Sequence, residues 1–155
     1  MVVLRLSRLT DYAIVILLHL GRRPEMQTVP AISAATAIPE PTVAKLLKLL
    51  ACGGIVRSQR GARGGYRLGR ELRELTISGI VTVVDGPIAL TDCTDGARHG
   101  CTVASACSAH GRWHGVNDAV RAALDGITLA ELESTPRQEG RDRPTPLTLS
   151  TAEPG

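Results

Sequence analysis

Phenylalanine is absent from this chain of 155 residues, and Tyr12, Tyr66 and Trp113 are its only aromatic side chains. The interior therefore has to be filled by Leu, Ile, Val and Ala, a palette that favours helices. Long apolar runs are missing too: the longest, Ala13 to Leu20, falls far short of the ~20 residues that span a bilayer. The apolar N-terminus lacks a cleavable small-residue site. Both absences point to a cytoplasmic protein with no membrane partner. No two cysteines stand as a Cys-x2-Cys pair, the spacing on which structural zinc sites are usually built. No nucleophile-plus-base constellation or cofactor loop is present, which argues against an enzyme. Acids are scarce in the first half. Residues 1–75 hold twelve Arg or Lys against five acids, for +7, and residues 76–155 hold six against ten, for −4; together these give the net +3. A basic half joined to an acidic half suggests a face made for a polyanion such as DNA.

What the chain does have is a loop that gathers three of its four cysteines. Seven residues separate Cys93 from Cys101, five separate Cys101 from Cys107, and His110 follows three places on. Soft and borderline donors of this kind select an iron–sulfur cluster, zinc or copper(I) over hard ions, and the wide spacing places a cluster ahead of zinc. Three thiols in a polar, Gly-rich loop would be oxidisable without a metal. His99, inside the loop, is a further possible ligand. Cys52 stands alone at the end of a helical run and is expected to be a small buried apolar residue.

Periodicity predicts a mainly α protein. Ser7 caps a first helix whose stripe is Leu9, Ala13, Ile16, Leu17 and Leu20, ended by Gly21. A short second helix spans Thr28 to Thr36, with Pro30 near its start and a corner at Ala37-Ile38. From Pro41 to Cys52, Val43, Leu46, Leu47 and Leu50 form the inner face, leaving Glu40, Thr42, Lys45 and Lys48 outside, and Gly53-Gly54 stops the helix. Three helices with a sharp turn before the third form a helix-turn-helix, whose last helix enters the major groove. Ile55 to Ser58 and Gly65 to Leu68 read as strands joined by a glycine-rich bend, a basic wing. Its tip arginines, Arg60 and Arg63, suit phosphate or a narrow minor groove. Lys45, Lys48 and Arg67 complete the expected phosphate contacts, Thr42 is placed to touch a base edge, and Tyr66 is expected to pack at the wing base.

In the second half Thr76 caps a helix over Ile77 to Val84 that buries Ile77, Ile80, Val81 and Val84. Beyond the cysteine loop, Trp113, Val116, Val120, Ala123, Leu124 and Ile127 make an apolar stripe with Asn117, Asp118 and Arg121 opposite. A lone amphipathic helix at the far end of a small domain is expected to pair with a second copy, making a homodimer. Thr128 and Glu131 form a capping box for a last short turn. The expected organisation is a DNA-binding domain over 1–75, a ligand loop with dimerisation helix over 76–134, and a disordered tail over 135–155 rich in Pro, Thr, Glu, Arg and Gly.

Five stretches carry a resemblance to a known family. They are Leu-Ser-Arg-Leu-Thr-Asp-Tyr-Ala at 6–13, Pro-Glu-Pro-Thr-Val-Ala-Lys-Leu-Leu-Lys-Leu-Leu at 39–50, Ser-Gln-Arg-Gly-Ala-Arg-Gly-Gly-Tyr-Arg-Leu at 58–68, Gly-Pro-Ile-Ala-Leu-Thr-Asp-Cys at 86–93, and the three-cysteine loop. From Leu4 to about Glu133 the chain resembles the Rrf-two family of winged-helix regulators, which includes IscR, NsrR and the regulators of SUF iron–sulfur assembly. The Gly-Pro-Ile-Ala-Leu-Thr and Gly-Arg-Trp contexts look most like the SUF-type members. The resemblance implies a homodimeric DNA-binding repressor that holds a cluster, of the 2Fe-2S or a related type, through Cys93, Cys101 and Cys107. For the fourth ligand it offers two residues. His110 sits where IscR-like members place a histidine, and Asp11 where NsrR-like members use a carboxylate from the partner subunit. The chain departs from the IscR pattern in its first spacer, seven residues instead of five. Two function classes remain beside a cluster-dependent regulator: a winged-helix protein with a structural zinc, and an electron carrier or enzyme.

Overall fold

The structure is a computed structural model that describes residues 5–94 and 105–136. Six α-helices and one small sheet follow in the order α1 (Arg8–Gly21), α2 (Val29–Thr36), α3 (Glu40–Cys52), β1 (Val56–Gln59), β2 (Gly65–Leu68), α4 (Ile77–Val84), α5 (Trp113–Asp125) and α6 (Leu129–Ser134) among these residues. Four helices start as a hydroxyl cap predicts. Ser7, Thr28, Thr76 and Thr128 accept from the backbone N–H three residues on, satisfying one of the otherwise orphaned donors of the first turn. The fold is mainly α with a winged helix-turn-helix, as the periodicity predicted.

The core is aliphatic. Ile16, Leu17 and Leu20 of α1, Ile32 of α2, Val43, Leu46, Leu47 and Leu50 of α3 and Ile80 of α4 are all essentially inaccessible. Each such side chain contributes roughly 2 kcal/mol by leaving water. The core also draws in the last described helix: Leu129 of α6 is fully buried within the same cluster. Its N–H donates to the Leu75 carbonyl at 2.9 Å, and the Ile77 N–H donates to the Ile127 carbonyl at 3.0 Å, so residues 127–129 run against 75–77 as a short antiparallel staple. An Arg22–Glu133 ion pair at 2.7 Å closes the end of that junction at the surface.

Four local expectations are corrected. The first wing strand is Val56–Gln59, one residue later than Ile55 to Ser58, because Ile55 is spent closing α3: its N–H donates to the Leu50 carbonyl at 2.9 Å. Cys52 is exposed and not buried. At 100° per residue it lies about 200° round the helix from Leu50, on the side away from the core. Val84 is only half-buried at the end of α4. Asn117, expected on the outer face of α5, is 5% exposed and faces the protein. A short 3-10 turn over Leu72–Glu74, held by a Glu71/Glu74 capping box, joins the wing to α4 and was not anticipated.

Candidate nucleic-acid interface and cysteine loop

The turn that presents α3 is set by local chemistry. Ala37 takes the left-handed conformation, φ 58°, its N–H donates to the Ser33 carbonyl at 2.9 Å, and the Ser33 hydroxyl donates to the Ile38 carbonyl at 2.7 Å. With Val43, Leu46, Leu47 and Leu50 turned inward, Lys45 and Lys48 are exposed and Thr42 is half-buried on the remaining face. The wing pairs Val56 with Leu68, Arg57 with Arg67, Ser58 with Tyr66 and Gln59 with Gly65. Gly65 has to be glycine: a Cβ there would lie 2.5 Å from the Gln27 carbonyl oxygen. That close approach lets Gln27 and Tyr66 exchange backbone hydrogen bonds of 2.9 and 2.8 Å, which fixes the wing to the segment before α2. Tyr66 packs against the core at the wing base, as expected. Arg60, Arg63 and Arg67 are exposed, and none of Lys45, Lys48, Arg60, Arg63 or Arg67 has a carboxylate within 4.0 Å among the described residues. The arrangement offers unneutralised cations on the exposed face of α3 and an adjoining hairpin, the chemistry that phosphate backbones select.

Cys93 sits on a 3-10 turn, Asp92–Thr94, half-buried, with its sulfur 3.1 Å from the Thr91 hydroxyl. Cys107 is half-buried at the loop's other end, and the His110 N–H donates to its carbonyl at 3.1 Å in the turns that lead into α5. The His110 side chain is exposed. Cys101 and His99 lie outside the described residues. Asp11 is exposed in the first turn of α1, beside a cavity of about 390 Å³ lined also by Arg5, Ser7, Arg8 and Tyr12. Two half-shielded free thiols and an imidazole are donors that suit a thiophilic metal. Among the described residues no three His, Cys, Asp or Glu side chains converge on one point.

Two residues that the sequence reading missed tie this loop to the rest of the molecule. The Asn117 amide of α5 donates to the Ile88 carbonyl at 3.1 Å and accepts from the Leu90 N–H at 3.0 Å, gripping the segment just before Cys93. Asp85, at the end of α4, accepts from the Ser7 hydroxyl at 2.8 Å and from the fully buried Thr10 hydroxyl at 2.7 Å. Its charge sits at the N-terminal end of α1, where the helix dipole favours an anion. Asp125 repeats the device one helix on, accepting from Ser78 and, at 3.4 Å, from Thr76 at the start of α4. A signal for Asn117 was present: it stands three residues before Val120 and seven before Leu124, on the half-buried stripe. Asp85 carried none, since its partners are about 75 residues away.

Comparison with known proteins agrees with this geometry. The family model for Rrf2 iron-dependent transcriptional regulators matches residues 6–135. The transcriptional regulator IscR of Serratia proteamaculans is 30% identical over 131 residues, spanning 83% of this chain and 79% of the relative. IscR of Yersinia pseudotuberculosis matches over the same share with 30% identity. Among solved structures, CymR, the global cysteine regulator of B. subtilis, superposes with a TM-score of 0.64 at 28% identity, covering 84% of this chain and 97% of that one. IscR of T. potens superposes at 0.60 with 26% identity, covering 84% and 86%. With a winged helix-turn-helix, a basic wing and a match over nearly its whole length, the chain belongs to the Rrf2 family and is a transcriptional regulator, not an enzyme.

Proposed function

We propose that this regulator binds operator DNA as a homodimer and reads the state of an iron–sulfur cluster, most readily of the 2Fe-2S type, held by Cys93, Cys101 and Cys107. His110 is the preferred fourth ligand and Asp11 the alternative. The genes it represses would be those of SUF-type cluster assembly or of redox and nitrosative stress. The observation that carries this reading is the placement of Cys93: the segment leading into its turn is held by Asn117 of α5, and the same connection is anchored through Asp85 to α1, which packs on α3. A ligand changes DNA affinity only by binding two protein states unequally, and a site wired to both the helix-turn-helix and α5 has that opportunity. When bound, the cluster supplies redox-responsive chemistry. The protein's residues hold it, shield it and transmit its presence. In this reading residues 1–75 contact DNA, Arg60 and Arg63 through phosphate and Thr42 through a base edge, while 76–134 hold the cluster and the dimer contact. The expected tail lies outside the described residues from 137 onward.

The protein purified without oxygen decides the matter. A visible charge-transfer spectrum with stoichiometric iron and sulfide, lost in each of Cys93→Ala, Cys101→Ala and Cys107→Ala while the fold persists, is the expected result. A triple variant that still binds iron and sulfide overturns the ligand assignment, and a colourless protein with stoichiometric zinc establishes a structural metal instead. Comparing His110→Ala with Asp11→Ala assigns the fourth ligand: histidine ligation gives a proton-linked potential, because the imidazole must be neutral to bind.

A further inference from the structure

Between the C-terminal end of α1 and the base of the wing lies a cavity of about 640 Å³ that the reading above touches only at Arg67. Its charged lining is Arg23, Arg67 and Arg70 against Glu71 and Glu74, on walls that include Leu20, Leu68 and Leu72. Glu71 is neutralised by an arginine outside the cavity and Glu74 is pinned by the backbone, which leaves the lining net positive. Glu71 pairs with Arg73 at 2.8 Å, and the Glu74 carboxylate accepts the Glu71 N–H at 2.9 Å in the capping box of the 3-10 turn. The three arginines are not so held. Arg23 has one long contact, 3.8 Å to Glu25, and Arg67 and Arg70 have no carboxylate within 4.0 Å among the described residues. Arg67 also stands directly across the sheet from Arg57, and like charges in that position repel unless an anion lies between them. Gly69, between Arg67 and Arg70, would with a Cβ meet the Gly54 and Ile55 carbonyl oxygens at 3.2 Å and the Arg57 stem at 3.3 Å, so this end of the wing is tightly packed.

A concave site with three under-neutralised guanidiniums fits an oxyanion with several acceptor oxygens better than it fits a carboxylate already within the protein. We propose that this cavity is a second oxyanion site, one that takes a phosphate group and acts independently of the cysteine loop. The phosphate can come from a DNA flank alongside the wing or from a free phosphate; the recognising chemistry is the same and the test separates the sources. The full chain and Arg23→Gln/Arg70→Gln are compared for thermal midpoint with inorganic phosphate against chloride at matched ionic strength, and for the slope of log operator affinity against log salt. If the phosphate is free, phosphate raises the midpoint of the parent chain and the double variant needs roughly tenfold more of it or greater for the same rise, from the loss of two charge-assisted contacts. If it belongs to DNA, the slope falls by up to ~0.9 for each arginine removed. Equal phosphate response and equal slope in folded parent and variant overturn the proposal. Should the double variant not fold, Arg23→Gln alone, at a side chain 57% exposed, is read in the same way. Arg60→Ala/Arg63→Ala serves as a control that keeps the midpoint response, since those tip residues do not line the cavity.

Discussion

Asn117 holds the segment that leads into the cysteine loop. Replacing it with Ala strands the Ile88 carbonyl and the Leu90 N–H in a half-buried segment, and a stranded buried polar group costs about 1–3 kcal/mol. Asn117→Ala should therefore lower stability in urea by about 2 kcal/mol and loosen the turn bearing Cys93, seen as faster hydrogen exchange at Leu90. His19 offers a second test at this scale. Its Nε2 is buried without a partner among the described residues, and its pKa is lowered below 6.5 first by desolvation, then by Arg23 and Arg22, with Glu25 opposing. A histidine depressed in the fold is neutral there and takes up its proton more readily when unfolded. Stability is thus fully present above pH 6.5 and falls as pH drops from 6.5 toward the lowered value. Replacing His19 with Leu should flatten that part of the stability profile, measured by urea midpoints at successive pH; an unchanged slope would show that other groups cause it.

At the scale of elements, the corner between α2 and α3 is built on a strained residue. Ala37 at φ 58° bears a left-handed penalty of about 1–2 kcal/mol that glycine escapes. Against this, glycine adds about 0.4–1 kcal/mol of unfolded-state entropy. Relief of the strain outweighs the added entropy, so Ala37→Gly should stabilise the protein by roughly 0.5 kcal/mol, checked by thermal melting, without changing operator affinity. The wing has a separate signature. If Arg60 and Arg63 contact phosphate, Arg60→Ala/Arg63→Ala weakens binding to all duplexes alike and lowers the salt slope by up to ~1.8, whereas Thr42→Ala alters discrimination among operators.

On the whole molecule, the question is what covers α5. Val120 and Leu124 turn partly inward, while Trp113, Val116 and Ile127 remain 40%, 48% and 44% exposed. These residues are the surface on which the proposed homodimer would close. Val116→Glu should leave the α1 to α4 core folded, because that residue lies outside it, and convert a dimer to a monomer in sedimentation analysis. The monomer should bind a two-half-site operator far more weakly, since it loses the second half-site. A parent chain that sediments as a monomer at micromolar concentration would remove the homodimer from the proposal. No helix among the described residues is long and apolar enough to cross a membrane.

The helices, their caps and the helix-turn-helix were legible in the sequence because each rests on contacts within a few residues: the stripe Val43, Leu46, Leu47, Leu50, the hydroxyl caps Ser7, Thr28, Thr76 and Thr128, and the glycines of the wing. So was the grouping of cysteines, whose chemistry is a matter of residue type. What only the tertiary structure decided are relations between distant residues. The stripe could hint that Asn117 turns inward, but its partners, the Leu90 N–H and the Ile88 carbonyl, lie 27 and 29 residues away. Asp85 finds Ser7 and Thr10 across the molecule, and Leu129 brings the last described helix back to the first. Periodicity reports that a helix has a buried face; it does not report which neighbour buries it, since that depends on free energy shared between segments far apart along the chain.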